Sequence, residues 1–429
     1  MVPHSHKAYV FSLMPIPGTD AFRDAFAQRY TIEHEIGREI VRCAFTERSI
    51  DEVKGLEPDG NCGVTPDSIA RSAIATLRLA SQGIANSTST TPLNVVTQLG
   101  AIQAQDYQGA LWTIGLRTPT ATRAEVEQAI AERAIIRTWP MRGTLHFVPA
   151  LDARWMLELL APRILKGAAG RHRQLELDAA TFKRSRAVIA KALKRTPVMT
   201  RRALFAALDS GGVPTTGQRG IHILRQLCME CTLCHGPQDE KQPTFTVFDE
   251  WIKTSRTLDR DDALRTIAER YFTSHGPASL RDFVWWTGLT VADAKIALHL
   301  AQPSLEKRVT EQGELWMAAK NAPSIDEGRA HLLPGFDEYL LGYTDRSAVL
   351  SARDAGRIVP GANGVFLSTL VLDGQVRGTW RRTTGAKSVS LALVPFTRLS
   401  AADKKAFREP VERFARYLGT SVSASWPVP

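Results

Sequence analysis

Residues 135–148, IIRTWPMRGTLHFV, predict a β-hairpin that closes a helical part of the chain. Apolar and polar side chains alternate in this stretch, and Pro140 and Gly143 interrupt the alternation at its centre, as expected for two strands joined by a turn. Helices followed by a hairpin are typical of the winged-helix arrangement, a variant of the helix-turn-helix. Helical periodicity precedes this hairpin at residues 69–80, 93–102, 110–116 and 123–132.

The same order of helices and a hairpin recurs twice further along the chain. The second set has predicted helices at residues 151–165, 179–194 and 220–229, another helix after the capping residue Thr200, and strands at residues 231–234 and 244–248. The third set has predicted helices at residues 262–273, 279–287 and 290–299, and strands at residues 305–309 and 315–318. We therefore predict three winged-helix units, at residues 66–150, 151–258 and 259–328.

A different pattern fills residues 329–429. Asp373-Gly374 is a strong short signal for a hairpin, and an amphipathic helix is predicted at residues 401–418. Residues 1–65 lack a clear period and are interpreted as an extension. The predicted class is α+β, mainly α, with three tandem winged-helix units followed by a small β-barrel or curled sheet. Its strands are predicted at residues 332–341, 364–372, 375–382 and 389–395.

The charge balance favours an anionic partner. Lys and Arg outnumber Asp and Glu by 54 to 44, which gives a formal net charge of +10. Such an excess is typical of proteins that bind nucleic acid. The sequence has no uninterrupted apolar run of about 18 residues, so it predicts no membrane span. We expect a cytoplasmic protein associated with the nucleoid.

Three of the five cysteines form the cluster Cys228-x-x-Cys231-x-x-Cys234, followed by His235. This spacing resembles that of metal ligands. The alternative, which we favour, is that these thiols fill small core positions on a helix and the strand after it. An odd number of cysteines argues against a disulfide framework and for a reducing compartment.

Gln103 and Gln105 are two uncharged amides that flank Ala104. In an extended segment their side chains point the same way, so together they can hold a water molecule or a polar ligand. The alternative is that they are surface amides at the end of a helix. The motif alone does not decide between the two.

Several motifs in a common order resemble those of the AlkZ-type winged-helix DNA glycosylases. The resemblance covers residues 66–420 and rests on GAIQAQDY at 100–107, GALW at 109–112, MRGTLH at 141–146, PTF at 243–245, GPA at 276–278, DF at 282–283 and LPGFDEYLLG at 333–342. It implies three winged-helix units and a C-terminal β-barrel, curled around duplex DNA. It also implies hydrolysis of the N-glycosidic bond of N7-alkylguanine and related cationic lesions, and in some members the unhooking of interstrand crosslinks.

The catalytic motif of this family is Gln-x-Gln in one branch and Gln-x-Asp in another, so the resemblance assigns catalysis to Gln103 and Gln105. Amides suit this reaction, because a base alkylated at N7 is already cationic and leaves without help from a strong acid. The two amides would act by placing a water molecule. Asp106 is a possible assisting group that could take the proton of that water. Its alternative role is to cap a helix or turn.

Arg142, Thr144 and His146 alternate along the predicted hairpin, so they form either a row that faces DNA or a pocket, or a solvated strand face. Paired basic residues are suited to DNA phosphates, with solvated surface as the alternative. Trp112, Trp285, Trp286, Asp337 and Glu338 are expected to have structural roles. The further candidates for DNA binding are Arg171, Arg173, Arg201, Arg202, Arg381 and Arg382.

The sequence thus predicts a monomeric enzyme, without metal or cofactor, that acts on double-stranded DNA containing alkylated purines. A different class remains open, namely a winged-helix regulator that reads DNA sequence without chemistry. Such a regulator usually binds a palindromic site as a dimer.

Overall fold

The computed structural model describes residues 71–240, 242–311, 313–319, 329–362, 364–385 and 388–427. The predicted extension at residues 1–65 lies outside these ranges. Among the described residues, four helices come first, and the N-cap of the second is Thr91, whose hydroxyl accepts the Asn94 N–H (3.2 Å). They are α1 (Arg71–Ser81), α2 (Pro92–Leu99), α3 (Tyr107–Leu116) and α4 (Arg123–Ala131).

Helix α2 ends earlier than the periodicity predicted. Gly100 has a φ of +78°, a conformation that favours glycine and that ends the helix after Leu99. The predicted helix at residues 93–102 is therefore wrong at its end. Its last predicted residue, Ile102, forms the short strand β1 (Ile102–Gln103) with Gln103 instead.

Two predicted hairpins join into one sheet. The first hairpin is β2 (Ile135–Thr138) with β3 (His146–Pro149), and the second is β5 (Leu233–His235) with β6 (Thr244–Val247). Strands β2 and β5 pair where Arg137 faces His235. With β4 (Met199–Thr200) the antiparallel order is β1-β3-β2-β5-β6-β4.

Helices of the second and third predicted sets follow the sequence pattern, except that the one predicted at residues 151–165 continues to Gln174. The third set ends in a separate two-stranded sheet, β7 (Leu305–Thr310) with β8 (Gly313–Ala318). The helices are α5 (Ala153–Gln174), α6 (Ala179–Arg195), α7 (Arg201–Ser210), α8 (Arg219–Met229), the short α9 (Phe248–Trp251), α10 (Arg260–His275), α11 (Leu280–Thr287) and α12 (Val291–Ala301). Thr200 caps α7 as predicted, since its hydroxyl accepts the Ala203 N–H (3.2 Å).

An open five-stranded sheet follows, in the order β13-β12-β11-β10-β9. Its edges β13 and β9 do not pair with each other in the described ranges, so the sheet is open and the predicted barrel is not closed. The Asp373-Gly374 turn is confirmed, with φ of +50° and +73°. The strands are β9 (Ala330–Leu333), β10 (Thr369–Leu372), β11 (Gln375–Thr384), β12 (Ser388–Pro395) and β13 (Ser421–Ser425).

Three predictions in this region need correction. The predicted strand at residues 332–341 ends at Leu333, because Pro334 and Gly335 break it, and the short helix α13 (Glu338–Leu341) follows. The predicted helix at residues 401–418 is divided at Phe407 into α15 (Ala401–Ala406) and α16 (Arg408–Leu418). Strand β13 was not predicted. A further short helix, α14 (Ala355–Ile358), precedes β10.

The six-stranded sheet lies between two hydrophobic cores. Ile136 and Val148 face a core built with α5, α8 and α10. Their neighbours Ile135 and Phe147 face the other core, which joins α1–α4 to the five-stranded sheet and α16. The predicted α+β class is confirmed. Within the described ranges, no helix has the length and apolar character needed to cross a bilayer.

Candidate active site

Gln103 lies on the edge strand β1, and its backbone is held on both sides. Its N–H points away from β3 and donates to Glu338 Oε1 (3.3 Å). The next residue, Ala104, donates its N–H to the Leu145 carbonyl (2.7 Å). The Ala104 carbonyl accepts two hydrogen bonds from the Arg137 guanidinium, at 3.0 and 2.7 Å. Paired donors on one acceptor fix orientation as well as distance, so this short strand is firmly positioned.

The Gln103 side chain belongs to a row of polar groups inside the protein. Gln103 faces His146 across β1 and β3, and His146 faces Thr138 across β3 and β2. Directly opposed residues share one face of a sheet, so the three side chains lie side by side. All three are buried, Gln103 being 4 % exposed. Gln103 Oε1 and Thr138 Oγ1 have no hydrogen-bond partner among the described residues.

His146 is neutral, and its hydrogen bonds define its tautomer. Its Nδ1–H donates to the Thr144 carbonyl (3.0 Å), and its Nε2 accepts from Arg142 Nη2 (3.1 Å). Burial and the nearby Arg142 charge lower the pKa of His146 to about 3. Arg142 also donates to the Trp286 carbonyl (3.1 Å) and has a φ of +51°.

These contacts correct the prediction for Arg142, Thr144 and His146. The solvated strand face is wrong, because Thr144 and His146 are buried and only Arg142 is half-buried. A row that faces DNA also conflicts with this burial, since β3 begins only at His146 and the preceding residues form an inward-folded turn. Of the alternatives, lining a pocket is the one compatible with this geometry.

Glu338 is the acidic centre beside this row. It is fully buried, and its Oε2 accepts from Trp286 Nε1 (2.9 Å) and from His275 Nε2 (3.4 Å). Burial alone would raise the pKa of Glu338, but the His275 hydrogen bond and the Arg142 charge lower it to about 2. Burial lowers the pKa of His275, so a neutral imidazole faces a carboxylate. The sequence assigned Glu338 only a structural role and did not single out His275; the signal for Glu338 was its motif at residues 333–342.

Gln105 and Asp106 lie at the exposed rim of the same segment. Gln105 Oε1 accepts the Leu145 N–H (3.4 Å). The backbone of Leu145 therefore bonds to the Gln105 side chain through its N–H and to the Ala104 N–H through its carbonyl. Asp106 occupies the N-cap position of α3 but its carboxylate makes no capping hydrogen bond. The carboxylate packs over Gly109, where a Cβ would overlap it.

Asp337, next to Glu338, anchors the segment to the first helices. Its carboxylate forms a two-pronged ion pair with Arg117, both contacts at 2.8 Å, and both side chains are buried. It also accepts from the Thr113 hydroxyl (3.1 Å) and the Tyr339 N–H (3.0 Å). The structural role expected for Asp337 is confirmed.

The predicted basic clusters are exposed but lie on separate elements. Arg171 and Arg173 lie in the last turn of α5, Arg201 and Arg202 begin α7, and Arg381 and Arg382 lie on β11. Their contact with DNA stays a prediction.

Cys228 and Cys234 occupy core positions on α8 and β5, as predicted. Cys231 is half-buried in the turn between them, with a φ of +55°. Burial raises the pKa of all three thiols, that of Cys231 to about 12. His235 is engaged elsewhere, since its Nδ1 donates to the Arg137 carbonyl (3.1 Å).

We expect the free energy of unfolding to fall when the pH is lowered from 7 to 5. Burial lowers the pKa of His146 and His235 in the folded protein. At pH 5 these two histidines are therefore protonated in the unfolded chain but neutral in the folded protein. Their stabilising contribution is complete above the unfolded pKa of about 6.5 and is lost below it, by about 2 kcal/mol per histidine at pH 5. Urea unfolding at the two pH values measures this. A His146→Gln variant should lose part of the pH dependence; an unchanged dependence would contradict the assignment.

A family model described as DNA glycosylase AlkZ-like matches residues 96–417, and the chain belongs to this family. It is therefore an enzyme of the DNA glycosylase class, which decides against the alternative of a regulator without chemistry. The chain is 26 % identical over 355 residues to a protein of Streptomyces sahachiroi named interstrand DNA cross-link repair glycosylase, covering 76 % of this chain and 91 % of the relative.

A solved structure has the same fold. The Streptomyces sahachiroi DNA glycosylase AlkZ superposes with a TM-score of 0.71 at 23 % identity, covering 84 % of this chain and 100 % of that chain.

Proposed function

We propose that this enzyme hydrolyses the N-glycosidic bond of N7-alkylguanine and related cationic alkylated purines in double-stranded DNA, as a monomer and without metal or cofactor. The name of the Streptomyces sahachiroi relative supports interstrand crosslinks as a further substrate. The enzyme belongs to the Gln-x-Gln branch, with Gln103 and Gln105 as catalytic residues.

One observation carries this proposal. Gln103 Oε1 is buried and has no partner among the described residues, although the backbone around it is held by Glu338, Leu145 and Arg137. A buried polar atom with unused capacity in an otherwise satisfied segment suits a role in binding a polar ligand. Gln105 follows two residues later at the exposed rim, where its Oε1 accepts the Leu145 N–H and keeps a second lone pair for a ligand.

The reaction needs little more than a placed water molecule. Its oxygen forms a bond to the anomeric carbon of the sugar while the bond from that carbon to N9 breaks. The electron pair of the broken bond passes to the base and neutralises its positive charge. The amide oxygens of Gln103 and Gln105 accept hydrogen bonds from the water and so orient it. Asp106 or solvent takes the proton that the water loses.

Glu338 contributes by its charge. Its carboxylate is ionised, buried and bonded to the backbone of Gln103. A fixed negative charge in a protein interior stabilises the positive charge that develops on the sugar as the bond breaks. Glu338 does not contact the lesion in this scheme; it acts through its field and through the position of β1.

The wider arrangement in this proposal is a frame of three winged-helix units, at residues 66–150, 151–258 and 259–328, followed by the C-terminal sheet, curled around the duplex. The exposed arginines on α5, α7 and β11 contact phosphates on either side of the lesion. Such contacts position the enzyme without reading sequence, which suits a repair enzyme.

A base-release assay tests the proposal directly. Duplexes that carry 7-methylguanine, an N7–N7 crosslink or an uncharged modified purine are incubated with the purified enzyme, and the free base is quantified. We expect release of 7-methylguanine and opening of the crosslink, and no release of the uncharged base. A Gln103→Ala/Gln105→Ala double variant serves as the negative control. Equal release from all three substrates, or full activity of the double variant, would overturn the proposal.

A further inference from the structure

Helices α5 and α8 pack side by side. A row of basic and polar side chains lies where they meet, and we call it the basic seam: Arg171, His172, Gln218, His222 and Arg225. Arg171 Nη2 donates to Gln218 Oε1 (2.9 Å). The rings of His172 and His222 meet edge to face, with centroids 5.6 Å apart.

The inner end of the basic seam touches the hairpin turn of the candidate site. A Cβ added at Gly143 would overlap the guanidinium of Arg225 and would lie 3.7 Å from Ile164 of α5. Gly143 directly follows Arg142, which bonds to His146 in the row of Gln103. The seam therefore leads from the candidate site towards the exposed end of α5.

Arg225 has no acceptor of its own in the part of the chain that the structure describes. It is half-buried and makes no hydrogen bond or ion pair with the described residues. The acidic group that acts on His172 is Glu230, which is already paired with Arg186 and with the Gln226 amide. His222 Nδ1 is buried and likewise has no partner in the described part of the chain. The Arg225 guanidinium is therefore unpaired yet still reachable from solvent, so this position suits an anion brought by a ligand.

The spacing along the seam fits a nucleic-acid strand. Gln218 directly precedes α8, and His222 and Arg225 follow at one-turn intervals on the helix, so the three cover about 10 Å at 1.5 Å per residue. Neighbouring phosphates of one DNA strand are farther apart than their 3.4 Å rise along the duplex axis, because the backbone winds around that axis, so this row spans two neighbouring phosphates. Arginine binds phosphate through two parallel donors, and histidine and glutamine add neutral ones.

We propose that the basic seam binds consecutive backbone phosphates of one DNA strand, with Arg225 at the phosphate nearest to the lesion and Arg171 at the outer end. This inference adds Arg225, His172 and His222 to the residues that contact DNA, and it rests on the proposed function for the place of the lesion. Since the contacts are to phosphate, they are independent of sequence and of damage.

Binding of undamaged duplex DNA tests this proposal apart from the chemistry, because it measures affinity even if no base is released. Fluorescence anisotropy gives the dissociation constant over a range of salt concentrations. For Arg225→Gln we expect about tenfold weaker binding and a slope of log affinity against log salt that is smaller by about 1. Arg225→Lys keeps the charge and should retain most of the slope.

Arg408→Gln is the control, since Arg408 is an exposed arginine of α16 paired with Glu412. It should bind like the unmodified enzyme. Thermal unfolding of each variant establishes that it is folded at the assay temperature. A salt slope for Arg225→Gln equal to that of Arg408→Gln would overturn the proposal, even if base release proceeds as proposed.

Discussion

Replacing Gln103 by alanine, or Gln105 by alanine, is expected to slow base release from 7-methylguanine duplex by about 10²–10³-fold. Each change removes one acceptor for the attacking water. The main-chain hydrogen bonds of Gln103 and Ala104 stay in place in both variants, whereas Gln105→Ala also removes the acceptor of the Leu145 N–H. Single-turnover rates with enzyme in excess measure the chemical step without product release. Duplex affinity is measured alongside and should change little.

Two further variants separate the amide chemistry from packing. Gln105→Glu keeps an acceptor oxygen at the exposed rim and should retain more activity than Gln105→Ala. Gln128→Ala removes an exposed glutamine of α4, which donates only to Glu132, and should leave the rate unchanged. If Gln105→Glu were as slow as Gln105→Ala, the acceptor role of Gln105 would be wrong.

Replacing Asp337 by alanine is expected to lower the free energy of unfolding by about 3–5 kcal/mol. The change leaves the Arg117 guanidinium buried with neutral acceptors only, the Gln82 side chain and backbone and the Thr113 carbonyl. The free energy of unfolding of most domains is about 5–15 kcal/mol, so this loss is a large fraction of the stability. Urea unfolding measures it.

The effect should depend on the unpaired charge. A double variant, Arg117→Met with Asp337→Leu, removes both charges and is expected to be more stable than Asp337→Ala alone. Asp373→Asn breaks the exposed pair with Arg329 and should cost at most about 1 kcal/mol. A double variant no more stable than Asp337→Ala would mean that lost packing, rather than buried charge, explains the effect.

The local elements of this protein were predictable because periodicity, caps and turn residues are properties of neighbouring residues. Thr200 at a helix start and Asp373-Gly374 at a hairpin are examples. The end of α2 was missed because Ile102 continues the apolar spacing of the helix, whereas the left-handed φ of Gly100 redirects the chain. Gly100 inside the apolar pattern was the signal in the sequence that the helix ends there.

The site itself was only partly predictable. The motif at residues 100–107 pointed to Gln103 and Gln105, but the residues around Gln103 come from distant segments. Glu338 contacts Gln103, His275 and Trp286 only after three separate parts of the chain have folded together. Likewise, the alternation of apolar and polar residues in one hairpin could not show that β2 pairs with β5. This pairing places His146 in the interior of the protein. Pairing between hairpins is a tertiary property.

The core shared by α3 and α16 has a consequence for synthesis on the ribosome. Arg413 of α16 donates to the Leu116 carbonyl 297 residues earlier, and Phe414 packs edge to face on Trp112. At about 5–20 residues per second, translation needs about 15–60 s to cover that interval. During this time the nascent chain carries the glutamine segment but cannot complete the core beside it. After sudden DNA damage, therefore, repair in the first minute depends on molecules that were made beforehand.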